Sequence, residues 1–390
     1  MKVKIYRSCF IVFAFIMVFS IIAATASFCD ESLLAETPVV NVRGKVKRIL
    51  GSRDEGIEYS GGSIQDSFQM VEIEITTAGP YKGKLIETEY ALSISFSEKQ
   101  EDVLLKPGNE VLMVLELDDA GEISQAYIYS VVRDKHMLLL LLIFSVIILS
   151  VGRLKGLKAL ISLILTVLAI IYILLPLILR GFDPVFISIW ICVGIAGITL
   201  LLVSGYNKKT LAAIIGTSGG LISAGIIAQV IGEMAKLTGL GDEESQMLMF
   251  IPQNISFDYK GLLFAGILIG ALGAAMDVGM SLSSAMFEIK EINPDIKKSD
   301  LLKAGMNIGR DMIATMSSTL ILAYTGGSLQ LMLLFMAHEI PFVDIINQDG
   351  YATEVVRSLA GSIGLILTIP ITAIAVSFLC EKRHREKERY

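Results

Sequence analysis

Apolar residues come in blocks of fifteen to twenty-six along most of this chain, separated by short polar connections. Blocks of this length match a ~30 Å hydrocarbon layer at 1.5 Å per helical residue, so they predict membrane-spanning helices. The first run, Phe10 to Ala26, follows Lys2, Lys4 and Arg7. It reads as a signal anchor or, because Ala24-Thr25-Ala26 is an A-x-A site, as a cleaved signal peptide; in both readings the segment after it is exported. Seven more runs come after it: Met137–Val151, Leu157–Leu179, Val185–Val203, Leu211–Ile231, Gly261–Met286, Met312–Ala337 and Val355–Phe378. The first of these is short, and snorkelling of Arg153 and Lys155 would help it span.

Charge between the runs gives direction. Arg153, Lys155 and Lys158 share one connection, and Lys208 and Lys209 lie two connections later. Lys290, Lys297, Lys298, Lys303 and Arg310 come two further on, and a basic tail, 381–390, ends the chain. The connections between these are acidic, with Asp242, Glu243, Glu244 and Asp258, then Glu339, Asp344, Asp349 and Glu354. Alternation of this kind is the positive-inside pattern. It predicts about eight transmembrane helices, an extracytoplasmic segment after the first, and a cytoplasmic C-terminus.

Between the first two helices the texture changes from blocks to alternation. Val39–Leu50, Phe68–Thr77, Leu85–Leu92, Glu110–Leu117 and Ile123–Val131 are short and rich in Val, Ile and Tyr; Met70–Ile75 alternates with period two. Turn residues separate them, as in Ala78-Gly79-Pro80 and Lys106-Pro107-Gly108-Asn109. Five strands in residues 30–135 predict a small β-barrel-like domain of OB type. Its aromatics are scattered and it is not strongly basic, which argues against nucleic acid and for a module that caps the protein or binds a protein partner. The division is then 1–29 signal segment, 30–135 exported domain, 136–380 transmembrane domain and 381–390 tail.

Composition agrees: 53% of the 390 residues are hydrophobic, and mean hydropathy is +0.66. A net charge of −6 carries little weight because charge is sorted by region. Cys9, Cys29, Cys192 and Cys380 have no metal-ligand spacing, and no cofactor is expected.

One segment carries candidate chemistry. Asp277, Ser281, Ser284 and Glu288 fall at i, i+4, i+7 and i+11, on one face of a helix inside an apolar run. An ionisable group in a bilayer is expensive and usually marks a pathway or a polar interior. The next helix starts with Arg310 and Asp311, and Thr315 and Ser318 recur at helical spacing. If the helices are neighbours the faces can meet, with Arg310 as counter-charge to Asp277 or Glu288. A site for an ion or proton, with Asp277 titrating, is one reading. A polar network that fixes helix register is the other. Glycines in Gly216–Gly220 and Gly266–Gly270 read as helix-packing residues, within one chain or in a homo-oligomer.

Enzymatic readings fare worse. Gly216-Thr217-Ser218-Gly219 resembles the nucleophile motif of rhomboid-like intramembrane proteases, but His338 belongs to the opposite end of its helix. Nucleophile and base must come within hydrogen-bond reach. Asp277 and Asp311 on successive helices resemble an intramembrane aspartyl protease, yet Gly309-Arg310-Asp311 departs from its Gly-x-Gly-Asp pattern. No phosphate-binding glycine loop supports ATP-driven transport.

The combination of motifs resembles the YibE/F-like family of bacterial multi-pass membrane proteins. The carriers are Gly270–Val278, the serine run to Glu288, Gly309-Arg310-Asp311, Thr319–Gly327, Gly361–Gly364 and Ile369–Ala373. The resemblance implies a plasma-membrane protein and no particular substrate. A weaker, fold-level similarity to the membrane half of RND-type permeases implies a proton-coupled site. The function expected from the sequence is a secondary transporter or permease for an ion or small solute, working within the lipid bilayer. The alternative is a membrane assembly or accessory protein whose exported domain binds a partner; an intramembrane protease ranks third.

Overall fold

The computed structural model describes residues 39–59, 62–92, 104–118, 121–250 and 257–387. The Phe10–Ala26 run, and with it the choice between anchor and cleaved signal, lies outside them. The described residues form two compact units that meet in the chain between Ile147 and Ile148.

The first unit is one antiparallel sheet of β1 (Val39–Tyr59), β2 (Gly62–Ile75), β3 (Leu85–Leu92), β4 (Glu110–Leu117) and β5 (Ile123–Val131), in the order β3-β2-β1-β4-β5. Period-two alternation explains its core: Val71, Ile73 and Ile75 from β2 meet Val111, Met113 and Leu115 from β4, all buried. Gly44 lies where β1 passes over this core, and a side chain there would run into Ile73 and Met113. The sheet curls until its edges approach. Thr88 of β3 donates to the Ala126 carbonyl of β5 at 2.5 Å, and the Tyr81 hydroxyl to Gly121 O at 2.7 Å. The result is a half-barrel. Gln69, itself buried, closes one side by clamping Leu105, donating to its carbonyl at 3.0 Å and accepting from its N–H at 2.8 Å.

β1 and β2 run past the limits expected from sequence. Their far arms pair Asp54 through Tyr59 with Ser67 through Gly62. That stretch is mostly polar on both strands, so the hydrophobic alternation that marks the other strands gives no warning of it. Register shifts between Val46 and Arg48 and between Ile49 and Gly51 bend the long strand, as bulges do.

The helices are α1 (Asp134–Ala169), α2 (Leu175–Leu179), α3 (Pro184–Ser204), α4 (Lys208–Met234), α5 (Glu243–Met247), α6 (Tyr259–Ile292), α7 (Lys298–Gly327), α8 (Leu329–Ala337), α9 (Phe342–Ile346) and α10 (Asp349–Lys387). Arg43–Asp134 (2.7 Å) and Lys135–Glu110 (2.5 Å) ion pairs tie the start of α1 to the sheet. α1 is broken at Arg153, where φ is 49° and ψ −128°. The chain doubles over there, so Gly156 backs onto the Ile148 carbonyl and has no room for a methyl. A π-turn, Ile170–Leu174, precedes Pro176, which cannot donate to a regular helix.

Among the described residues five helical runs are long and apolar enough to cross a membrane, or six if α7 and α8, bent by 58°, count as one. The sequence expectation is eight. Its Met137–Val151 and Leu157–Leu179 are two arms of one run divided at Arg153, and its Met312–Ala337 is divided at Ser328, just past Gly326-Gly327.

α10 is the centre of the second unit, packing along α4, α6 and α7; α6 also packs along α3 and α4. Contact is backbone-close. Gly216, Gly220 and Ala224 of α4 stand against Thr372, Thr368 and Gly364 of α10, in antiparallel order. Gly305 and Gly309 of α7 admit Met286 and Ile369. Without a hydrophobic driving force in lipid, close packing of this kind holds helices together.

The connections sort by charge. Lys208 Nζ reaches the Leu379 carbonyl (3.2 Å), Ser283 reaches the Lys209 carbonyl (2.8 Å), and Lys298 lies over the Phe378 ring. The start of α4, the ends of α6 and α10 and the start of α7 therefore share a basic end. At the other end Thr238 donates to Asp349 (2.6 Å), Arg357 pairs with Asp242 (3.4 Å), and Gly261 caps on Asp258 (2.9 Å).

Candidate functional site

α6 has two unlike faces. Ala271, Ala275, Val278, Leu282 and Met286 are buried against the bundle. The other face is Gly266, Gly270, Gly273, Asp277, Ser281 and Glu288, all exposed, with Ser284 half-buried. The helical period sorts them, since these positions repeat at intervals of three and four. Gly266 and Gly273 have open space where a side chain would be. Open glycine positions thus lie along the helix before the carboxylate, interrupted at Gly270 by the Tyr324 hydroxyl.

Asp277 sits well inside the bundle's length. Its neighbours Ala275 and Gly279 pack against Thr217, whose hydroxyl donates to the Ala275 carbonyl at 3.3 Å. Thr217 lies about 13 Å along α4 from Lys208 at 1.5 Å per residue, so this carboxylate is nearer the basic end. It has no hydrogen bond or ion pair among the described residues.

α7 flanks this face, meeting α6 where Gly305 receives Met286 and where Tyr324 reaches Gly270. Its exposed positions include a polar set, Asn307, Arg310, Asp311, Thr315, Ser318 and Thr319, with the apolar Ala314 and Leu322 beside them. They do not close on Asp277. Arg310 donates to Asn307 Oδ1 of its own helix (3.0 Å), with no ion pair to Asp277 or Glu288 among the described residues, which corrects the expected counter-charge. The physical reason is the face it stands on: Gly305 and Gly309 turn inward to pack, and Arg310 one position on turns outward. Thr315 donates to Met312 O (3.2 Å), Ser318 to Ala314 O (2.9 Å) and Thr319 to Thr315 O (2.9 Å). Back-bonding of this kind satisfies hydroxyls without a partner helix. Ser317, beside the expected set, turns inward, and its buried Oγ has no partner among the described residues.

Ser218 and His338 share no hydrogen bond among the described residues; the His338 ring contacts its own Leu334 carbonyl (2.9 Å). Among the described residues no group of three His, Cys, Asp or Glu side chains is placed to hold a metal.

Sequence reasoning overlooked a second polar cluster at the acidic end. Arg357 lies inside the expected span Val355–Phe378, more than two turns into α10, and bonds Glu354 at 2.6 Å and Asp242 at 3.4 Å. The signal was present: an arginine in an apolar run with a carboxylate three positions earlier.

Long apolar helices, glycine-close contacts, charge sorted to the two ends and a carboxylate within one span are the marks of a multi-pass α-helical membrane protein. Within that class, the model of the family described as YibE/F-like protein matches residues 140–382, and the chain belongs to that family. The match covers the helical unit and leaves out the half-barrel. No curated protein and no solved structure matches the chain.

Proposed function

We propose that this protein is a secondary permease for an ion or small solute, with its site on the outward face of α6 around Asp277. The observation that carries this reading is an unpartnered carboxylate on a track of glycines and hydroxyls in a membrane-length helix. A charge at such depth facing lipid costs a few kcal/mol, so that face is better matched to water, a solute or a second polypeptide than to acyl chains. Gly266 and Gly273 keep the approach open on either side of Gly270, where the Tyr324 hydroxyl lies, and Ser281 and Ser284 supply oxygen ligands next to the carboxylate. Charge sorting supports an orientation with the basic end in the cytoplasm of a bacterial plasma membrane and the half-barrel, read as OB type, outside. Proton or monovalent-cation flux into proteoliposomes tests it: Asp277→Asn should remove the flux while the protein stays folded.

A second reading has its own observation. The exposed hydroxyls of α7 bond back to their own helix, yet the stretch from Asn307 to Thr319 is more polar than a lipid-facing surface. An accessory protein that docks a partner helix there fits this. Cross-linking from cysteines placed at Ser318 would then capture another chain, and Asp277→Asn would leave flux unaltered.

A further inference from the structure

At the acidic end, α6, α10, the start of α5 and the connection before it line an open pocket of about 180 Å³. Its lining includes Asp242, Ser245, Gly266, Thr353 and Arg357. This is smaller than the ~300–1,000 Å³ of drug-sized sites, so it suits a small molecule. Thr353 and Arg357 are i and i+4 on α10 and share a face.

Two polar groups here are buried and unused. The Thr353 side chain is only 2% exposed, and its Oγ1 has no partner among the described residues. The Arg357 Nε is likewise buried without a partner. Glu354 occupies one edge of the guanidinium, through Nη1 at 2.6 Å. The other edge, Nε with Nη2, is the side-on fork that receives a planar carboxylate through two parallel hydrogen bonds. Among the described residues only Asp242 approaches it, on Nη2 alone and at a long 3.4 Å. Asp242 is 40% exposed and stands at the N-cap of α5 without a side-chain capping bond, so among the described residues nothing else holds its carboxylate in place. The backbone around it is anchored by Thr238 on Asp349 and by Gly241 against Gly350.

We propose that this pocket binds a small monocarboxylate, with the Nε–Nη2 edge of Arg357 as its clamp and Thr353 as a second donor. Asp242 occupies the clamp when the site is empty and swings into solvent when the ligand enters. One carboxylate replaces another at the clamp, so the guanidinium edge keeps a counter-charge, and an orphaned N–H and hydroxyl gain an acceptor. The inference is independent of Asp277 and holds whether or not the protein is a permease.

The test is the thermal-unfolding midpoint of the full chain in detergent, titrated with sodium acetate. Sodium chloride at equal ionic strength and acetamide serve as comparisons. Wild type is expected to show a saturable rise with acetate alone. Asp242→Asn, which weakens the competitor, should lower the half-saturating concentration by about tenfold. Arg357→Lys keeps the charge and loses the planar fork, so the rise should vanish. Thr353→Val leaves the ion pairs intact and should raise half-saturation severalfold. The proposal is overturned if chloride or acetamide reproduces the rise or if Arg357→Lys retains it. Unchanged half-saturation in both Asp242→Asn and Thr353→Val, or no saturable rise in Asp242→Asn, overturns it too.

Discussion

Replacing Gly220 with alanine isolates the contact on which the bundle depends. The added methyl would stand 2.6 Å from the Gly364 carbonyl oxygen, where ordinary contact begins at 3.4 Å, and would also run into Thr368 Oγ1. The carbonyl belongs to α10's backbone and cannot rotate away, so the two helices must part by several tenths of an ångström. Overpacking of this kind costs about 1–3 kcal/mol. Alanine returns up to about 1 kcal/mol through its better helix propensity, so the net loss lies between about 0 and 3 kcal/mol, centred on about 1–2 kcal/mol. For a unit of this size that is a fall in unfolding midpoint of about 2–8 °C. Gly197→Ala is the control, because no atom lies within 4 Å of a methyl added there. It keeps the propensity gain without the clash and should leave the midpoint unchanged or raise it. Thermal unfolding of the purified protein in one detergent, followed by loss of the monodisperse species, reads both. Equal midpoints for Gly220→Ala and Gly197→Ala would refute the claim that α4 and α10 are held by backbone-close contact.

Other parts of the molecule give further expectations. Arg153→Gly should raise the unfolding midpoint by a few degrees, since φ 49° with ψ −128° is glycine territory and strain of this kind is worth about 1–3 kcal/mol. A lower midpoint would show that the arginine side chain matters more than its backbone. Gln69→Leu orphans the buried N–H and carbonyl of Leu105, and hydrogen exchange around Leu105 in the full chain should speed up by about tenfold or more. Unchanged protection would mean that the clamp is idle. Cysteines placed at Lys303 and at Ser245 should react with a membrane-impermeant thiol reagent from opposite sides of sealed vesicles; labelling from the same side would contradict the sorting of charge to two ends.

Much of the architecture is legible in the sequence because two strong periods govern it. Strands β3, β4 and β5 begin and end where the apolar alternation does, since a half-buried sheet enforces period two. The helical runs track long apolar blocks, and the interruption between Val151 and Leu157 marks the break at Arg153. What could not be read is which face of a helix meets which neighbour. Gly220 and Gly273 look alike in sequence, yet one touches a backbone and the other faces open space. Arg310 looked like a partner for Asp277 because spacing gives depth but not azimuth. Arg357 escaped notice because hydropathy averaged over a span hides one charge. The bend at Ser328 comes just after Gly326-Gly327, a pair that reads equally well as the end of a helix.

Proton flux through Asp277 is the most direct test of the proposed function. Full-length wild type and Asp277→Asn would be reconstituted at equal, monodisperse amounts with a pH-sensitive dye trapped inside, and a proton or cation gradient imposed. Flux in the wild type that falls to the level of empty liposomes in Asp277→Asn is the expected result. Flux in Asp277→Asn equal to the wild type, from protein with an unchanged unfolding midpoint, would contradict the assignment of the site to this carboxylate.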